Sequence, residues 1–145
     1  MINMKKLICV TSVLMLALLG LSVCHADSMI PNLVGTWIVK SEGGVLLKGK
    51  ESGPKTLHSG PFSTLNAEAV VTRQQGRIFH GDIKSDRAAK NFIGAIGHDN
   101  KTLYYADEDG FLEGRLINEN TMEIVYRHVN PIDTVVAVGL WTRKK

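Results

Sequence analysis

Between residues 91 and 143 the chain reads as five short extended runs, most of them alternating apolar and polar positions, separated by polar turns of the composition that tight hairpins prefer. The runs are 91–97, 101–106, 111–117, 121–128 and 134–142. The turns are His98-Asp99-Asn100, Asp107-Glu108-Asp109-Gly110, Asn118-Glu119-Asn120 and Asn130-Pro131-Ile132-Asp133. A period of two marks half-buried strands, and strands at this spacing predict an antiparallel sandwich or barrel. Upstream, 33–40 predicts a first strand, and 67–74 and 77–85 predict a hairpin turning at Gln75-Gly76, with 86–90 as a polar connector. The alternation lapses over 41–64, which holds five glycines and two prolines around the apolar island Val45-Leu46-Leu47. The segment is read as one hairpin arm plus a long flap, and a connection this long makes it the candidate gate.

The alternation also assigns faces. Leu112, Gly114 and Leu116 oppose Glu113 and Arg115; Met122, Ile124, Tyr126 and His128 oppose Glu123 and Arg127; Phe79, Gly81 and Ile83 oppose His80, Asp82 and Lys84. A sheet with one apolar face must bury it. Eight strands do so by closing into an up-and-down antiparallel β-barrel, which also removes the sheet edges, so the fold class expected is all-β. The last strand differs from the rest, because Val135 to Trp141 leaves neither face polar. An apolar outer face needs a cover. Val136, Val138 and Leu140 are therefore expected at the interface of a homo-oligomer, with packing by the flap as the alternative.

Residues 1–26 stand outside this pattern. Lys5 and Lys6 precede an uncharged apolar run that ends in Cys24-His25-Ala26, the organisation of a cleaved signal peptide. Cleavage after Ala26 leaves one domain, 27–145, destined for the bacterial periplasm or beyond, with no integral membrane segment. The alternative is a lipoprotein anchored at Cys24, since Leu21-Ser22-Val23-Cys24 resembles a lipobox. Both cysteines, Cys9 and Cys24, lie in this leader, so the exported chain has no disulfide. Of 17 basic and 14 acidic residues, removal of Lys5 and Lys6 leaves 15 against 14. No basic cluster remains except Arg143-Lys144-Lys145, so no nucleic-acid partner is expected.

Candidate chemistry is sparse. Asp107-Glu108-Asp109-Gly110 supplies too few oxygens at the spacing of a calcium loop and is explained as an Asp-Gly turn. No two of His58, His80, His98 and His128 have zinc-ligand spacing, and no nucleophile elbow occurs. No cofactor, metal or catalytic residue is therefore expected, and an enzyme ranks third among the functions considered. His128 projects inward beside Tyr126 and can contact a ligand or serve as a base, or simply be a satisfied rim histidine. The glycines inside the strands leave room either for a ligand or for neighbouring aromatic rings.

Gly35-Thr36-Trp37 on the first strand and Arg143 late in the last resemble the calycin group of small barrels, which includes avidins and lipocalins. The ending Val138-Gly139-Leu140-Trp141-Thr142-Arg143 is similar to that of avidins, and a helix of the kind that follows a lipocalin barrel is not expected. The resemblance implies that Gly35, Trp37 and Arg143 close one end of the barrel, with the guanidinium over the indole. It does not carry biotin binding, because Ile38-Val39 replace the polar residues that follow the tryptophan and the only tryptophans are Trp37 and Trp141. The function expected is a barrel holding a small, largely apolar ligand in its mouth, lined by Trp37, Tyr105, Leu112, Tyr126 and His128. The alternative is a solid-cored interaction or inhibitor barrel acting through its surface.

Overall fold

The computed structural model describes residues 29–48, 57–58 and 60–145. The leader 1–26 and residues 49–56 and 59 of the expected flap lie outside the described residues. The described chain is all-β. Its eight strands are β1 (Gly35–Leu47), β2 (Ser63–Gln75), β3 (Ile78–Lys84), β4 (Ala89–Ile96), β5 (Thr102–Asp107), β6 (Phe111–Asn118), β7 (Thr121–Val129) and β8 (Asp133–Arg143). Each is antiparallel to the next, and β8 pairs back onto β1 to close the barrel. No helix among the described residues is long and apolar enough to cross a membrane.

Alternation decides which side chains fill the interior. Phe79, Gly81 and Ile83 point inward, as do Met122, Ile124 and His128, while their neighbours face outward. The filling is aromatic at mid-height. Phe92 stacks on Tyr105 with centroids 5.6 Å apart, Phe79 meets Tyr105 edge-on at 4.8 Å, and Trp141 contacts both Phe92 and Tyr105 edge-on. Such pairs contribute about 0.5–1.5 kcal/mol each beyond burial. The strand glycines make this packing possible: a Cβ on Gly94 would stand 2.4 Å from the Phe79 ring, and one on Gly81 2.8 Å from Phe92. Their space is thus taken by aromatic side chains.

Several strand boundaries differ from the sequence pattern, and β2 begins at Ser63 where the pattern began at 67. The first strand does not end at Lys40 but runs to Leu47: it pairs with β2 as far as Gly43, opposite Ser63, and with β8 all the way to Leu47, opposite Asp133. Gly43 and Gly44, which suggested a flap, are instead sites of close approach. A Cβ there would meet Ala137 Cβ at 2.5 Å and the Pro61 carbonyl oxygen at 2.0 Å. The flap is correspondingly shorter than 41–64. The fourth strand begins at Ala89, so Lys90 is a strand residue facing the interior, not part of a connector. The eighth begins at Asp133, which is fully buried. On β8, Val135, Ala137 and Trp141 point inward, whereas Val136, Val138 and Leu140 are about half exposed on the outer wall.

Candidate functional site

The two ends of the barrel are built differently. At the base, Gly35 has φ +133°, which disfavours a side chain, and a Cβ there would lie 3.0 Å from Arg143 Nη1. Trp37, completely buried, donates its indole N–H to Leu33 O at 3.0 Å. The Arg143 guanidinium lies over the indole, its carbon 4.3 Å from the ring centroid. It donates to the carbonyls of Val34 at 2.8 Å, Asn32 at 2.7 Å and Glu119 at 3.3 Å. Gly35, Trp37 and Arg143 therefore meet at one closed end.

At the opposite end the interior opens into a cavity of about 50 Å³. Phe92 and Trp141 form aromatic walls, with Val39, Leu65, Ile83, Leu112, Ile124, Val135 and Ala137 around them. Polar side chains also reach the cavity: Ser41, His58, Lys90, Asp107, Tyr126 and His128. Alternation along β7 places Tyr126 and His128 on the same inner face, and the β7–β8 hairpin brings Asp133 beside them. Asn130 Oδ1 holds that turn by accepting from the amides of Ile132 and Asp133, both at 2.8 Å.

The result is a hydrogen-bonded chain. His128 Nδ1 lies 2.7 Å from Tyr126 Oη, and His128 Nε2 lies 2.7 Å from Asp133 Oδ1. In a neutral imidazole the carboxylate fixes the hydrogen on Nε2, leaving Nδ1 to accept from the Tyr126 hydroxyl. Burial, then the nearby Asp107 and Asp133 carboxylates, raises the Tyr126 pKa above its ordinary value, so the phenol keeps its proton. Both ring nitrogens are thereby occupied, and Tyr126 Oη retains lone pairs to accept from a ligand donor. Among the described residues, Asp133 Oδ2 is buried with no hydrogen-bond partner.

Two further polar contacts border the cavity. The inward Lys90 ammonium pairs with Asp109 of the β5–β6 turn. His58 is buried between two hydroxyls, with Nε2 3.1 Å from Ser41 Oγ and Nδ1 2.9 Å from Ser63 Oγ. Burial lowers the His58 pKa below the ordinary 6.5, against a hydrogen bond with the Ser63 backbone that raises it. Asp107 Oδ1 accepts from the amides of Asp109 at 2.9 Å and Gly110 at 2.7 Å, so the acidic turn uses this oxygen to hold its own shape. Among the described residues, no three His, Cys, Asp or Glu side chains cluster closely enough to hold a metal ion.

Of the five residues expected to line a ligand site, Leu112, Tyr126 and His128 reach the cavity. Trp37 does not, because its ring belongs to the base plug. Tyr105 lies in the aromatic layer, its hydroxyl 3.2 Å from Met122 Sδ. Sequence reasoning missed Lys90, Asp107 and Asp133 by assigning them to connectors. Parity would have placed them, since Lys90 continues the inward series 92, 94, 96 and Asp133 the series 135, 137, 139, 141. His58 had no such local signal, because its burial depends on contacts with β1 and β2.

No protein-family model matches the chain, and no curated protein matches it. Among solved structures it is similar to a redesigned β-barrel, at 12% identity and a TM-score of 0.50, over 86% of this chain and 99% of the other. That likeness establishes the fold alone: an eight-stranded closed antiparallel barrel.

Proposed function

We propose that this is an exported binding barrel that takes a small, largely apolar ligand, or the apolar end of one, into the cavity at its mouth. The observation that carries the reading is an apolar-walled cavity with Tyr126, His128, Lys90 and Asp107 gathered around it. A few converging polar groups on an apolar surface are the common make-up of small-molecule sites. The volume limits the guest. About 50 Å³ admits roughly four water-sized groups, far less than the roughly 300 Å³ where drug-sized sites begin. The guest therefore buries only a few non-hydrogen atoms, with its polar end toward Tyr126 Oη and the Lys90–Asp109 pair. The signal-like leader supports export, and the meeting of Gly35, Trp37 and Arg143 supports kinship with calycin barrels.

The test follows the two indole N–H resonances while the protein is titrated with short aliphatic alcohols, amines and carboxylic acids. The expected result is a saturable shift of the Trp141 resonance, with Trp37 at the base unmoved. Leu112→Phe, which adds bulk to the cavity wall, should abolish it. Failure of every compound to move Trp141, or an equal response in Leu112→Phe, would remove the reading.

A second reading, a barrel acting on another protein through its surface, is favoured by the outward exposure of Val136, Val138 and Leu140. It predicts loss of partner binding when these residues are made polar, with the cavity intact.

A further inference from the structure

The outer wall around β8 carries both an apolar column and an ordered set of charges. Val136, Val138 and Leu140, exposed by 61%, 46% and 50%, form the column. Strand pairing fixes what flanks each of them. Leu140 lies between Lys40 on β1 and Glu123 on β7; Val138 lies between Glu42 and Val125; Val136 lies between Gly44 and Arg127. Exposed Leu46 and Phe62 join Val136 in lining the outer groove at the mouth end of this face.

We infer that this face pairs with the same face of a second copy of the chain, about a two-fold axis parallel to β8. The warrant is self-complementarity. An isologous interface needs a patch that fits its own rotated image. Rotation about the β8 direction keeps each row in place and exchanges its two sides. Lys40 of each copy then lies over Glu123 of the other, twice in the dimer, while the aliphatic columns meet at the centre. Glu42 comes to the side where the other copy presents Arg127 one row away. Faces packed about 10 Å apart, with flanking strands about 4.8 Å from the central one, lie within reach of lysine and glutamate side chains. The other in-plane axis, perpendicular to β8 through Val138, would set Glu42 against Glu42 and is disfavoured by like-charge repulsion.

This pairing rests on the surface reading above and leaves the cavity free in each copy. The opposite wall is a poorer candidate, because exposed Ile78, Ile93 and Tyr104 are interspersed there with polar His80, Asn91 and Asp82.

Sedimentation equilibrium of the purified protein tests the inference. The wild type is expected to dimerise, and Val138→Glu, which places a charge from each copy on the axis, to raise the dissociation constant at least about a hundredfold. Lys40→Glu and Glu123→Lys should each weaken the dimer about tenfold, and the double exchange Lys40→Glu/Glu123→Lys should restore it to within about threefold. These side chains are on the outer wall, and unchanged far-ultraviolet circular dichroism separates loss of association from loss of fold. A monomeric wild type, a Val138→Glu dimer of undiminished affinity, or a double exchange no better than the singles would overturn the inference. A monomer that binds a foreign protein through Val138 would overturn the dimer while leaving the broader surface reading standing.

Discussion

Each nitrogen of Trp37 and Arg143 at the base bonds a main-chain carbonyl, whereas at the mouth the polar side chains bond one another. Those carbonyls belong to the lead-in before β1 and to the β6–β7 turn, so the base ties these two segments together and acts as a plug. The mouth instead holds hydroxyls, imidazoles, carboxylates and an ammonium, side chains that can exchange hydrogen-bond partners. One of its carboxylate oxygens, Asp133 Oδ2, is buried with no partner among the described residues. An unsatisfied buried acceptor costs about 1–3 kcal/mol. The barrel therefore concentrates stability at one end and adaptable polar chemistry at the other, around the cavity.

That contrast can be broken first at the base. Trp37→Ala removes the largest fully buried side chain and leaves Arg143 without its ring, and a loss of about 3–5 kcal/mol is expected from urea denaturation. Removing a mouth hydroxyl by Tyr126→Phe should cost only about 1 kcal/mol in the same experiment. Comparable losses would mean that the ends are not differently built.

The Lys90–Asp109 pair sharpens the comparison, because its members differ in burial. Asp109→Ala strands an ammonium at the cavity and should cost about 3 kcal/mol, whereas Lys90→Met leaves a carboxylate that water can reach and should change stability by less than about 1 kcal/mol. Thermal melts of the two variants at neutral pH check the asymmetry.

The smallest effect expected is a pH dependence. His58 in the fold has a pKa below the ordinary 6.5, so the unfolded chain takes up its proton first as pH falls. Stability assigned to this group is complete above 6.5 and declines as pH drops below it. His58→Gln should flatten the stability profile in that window, and an unchanged slope would detach His58 from the effect.

Much of the barrel was legible in the chain, because each strand carries its own inward and outward series. The row Met122, Ile124, Tyr126, His128 needed only the period of two, and Gly35, Trp37 and Arg143 were singled out by the resemblance to calycin barrels. The extension of β1 through Gly43 and Gly44 was not legible, since glycine signals a turn equally well and only Ala137 and Pro61 reveal it as close packing. Lys90 and Asp133 were obscured for a related reason. A charged residue at a strand end looks like a turn unless the inward parity of its strand is carried one step further.

What the sequence determined by itself was local: eight extended segments, the face each one buries, and an aliphatic outer column on the last. Tertiary structure alone decided whether the interior was hollow. The same glycines and aromatic rings are compatible with an open or a filled barrel, and interior volume depends on which ring enters which gap on a neighbouring strand. Phe79 over Gly94 and Phe92 over Gly81 fill the middle, so the remaining space lies at the mouth beside Tyr126 and His128.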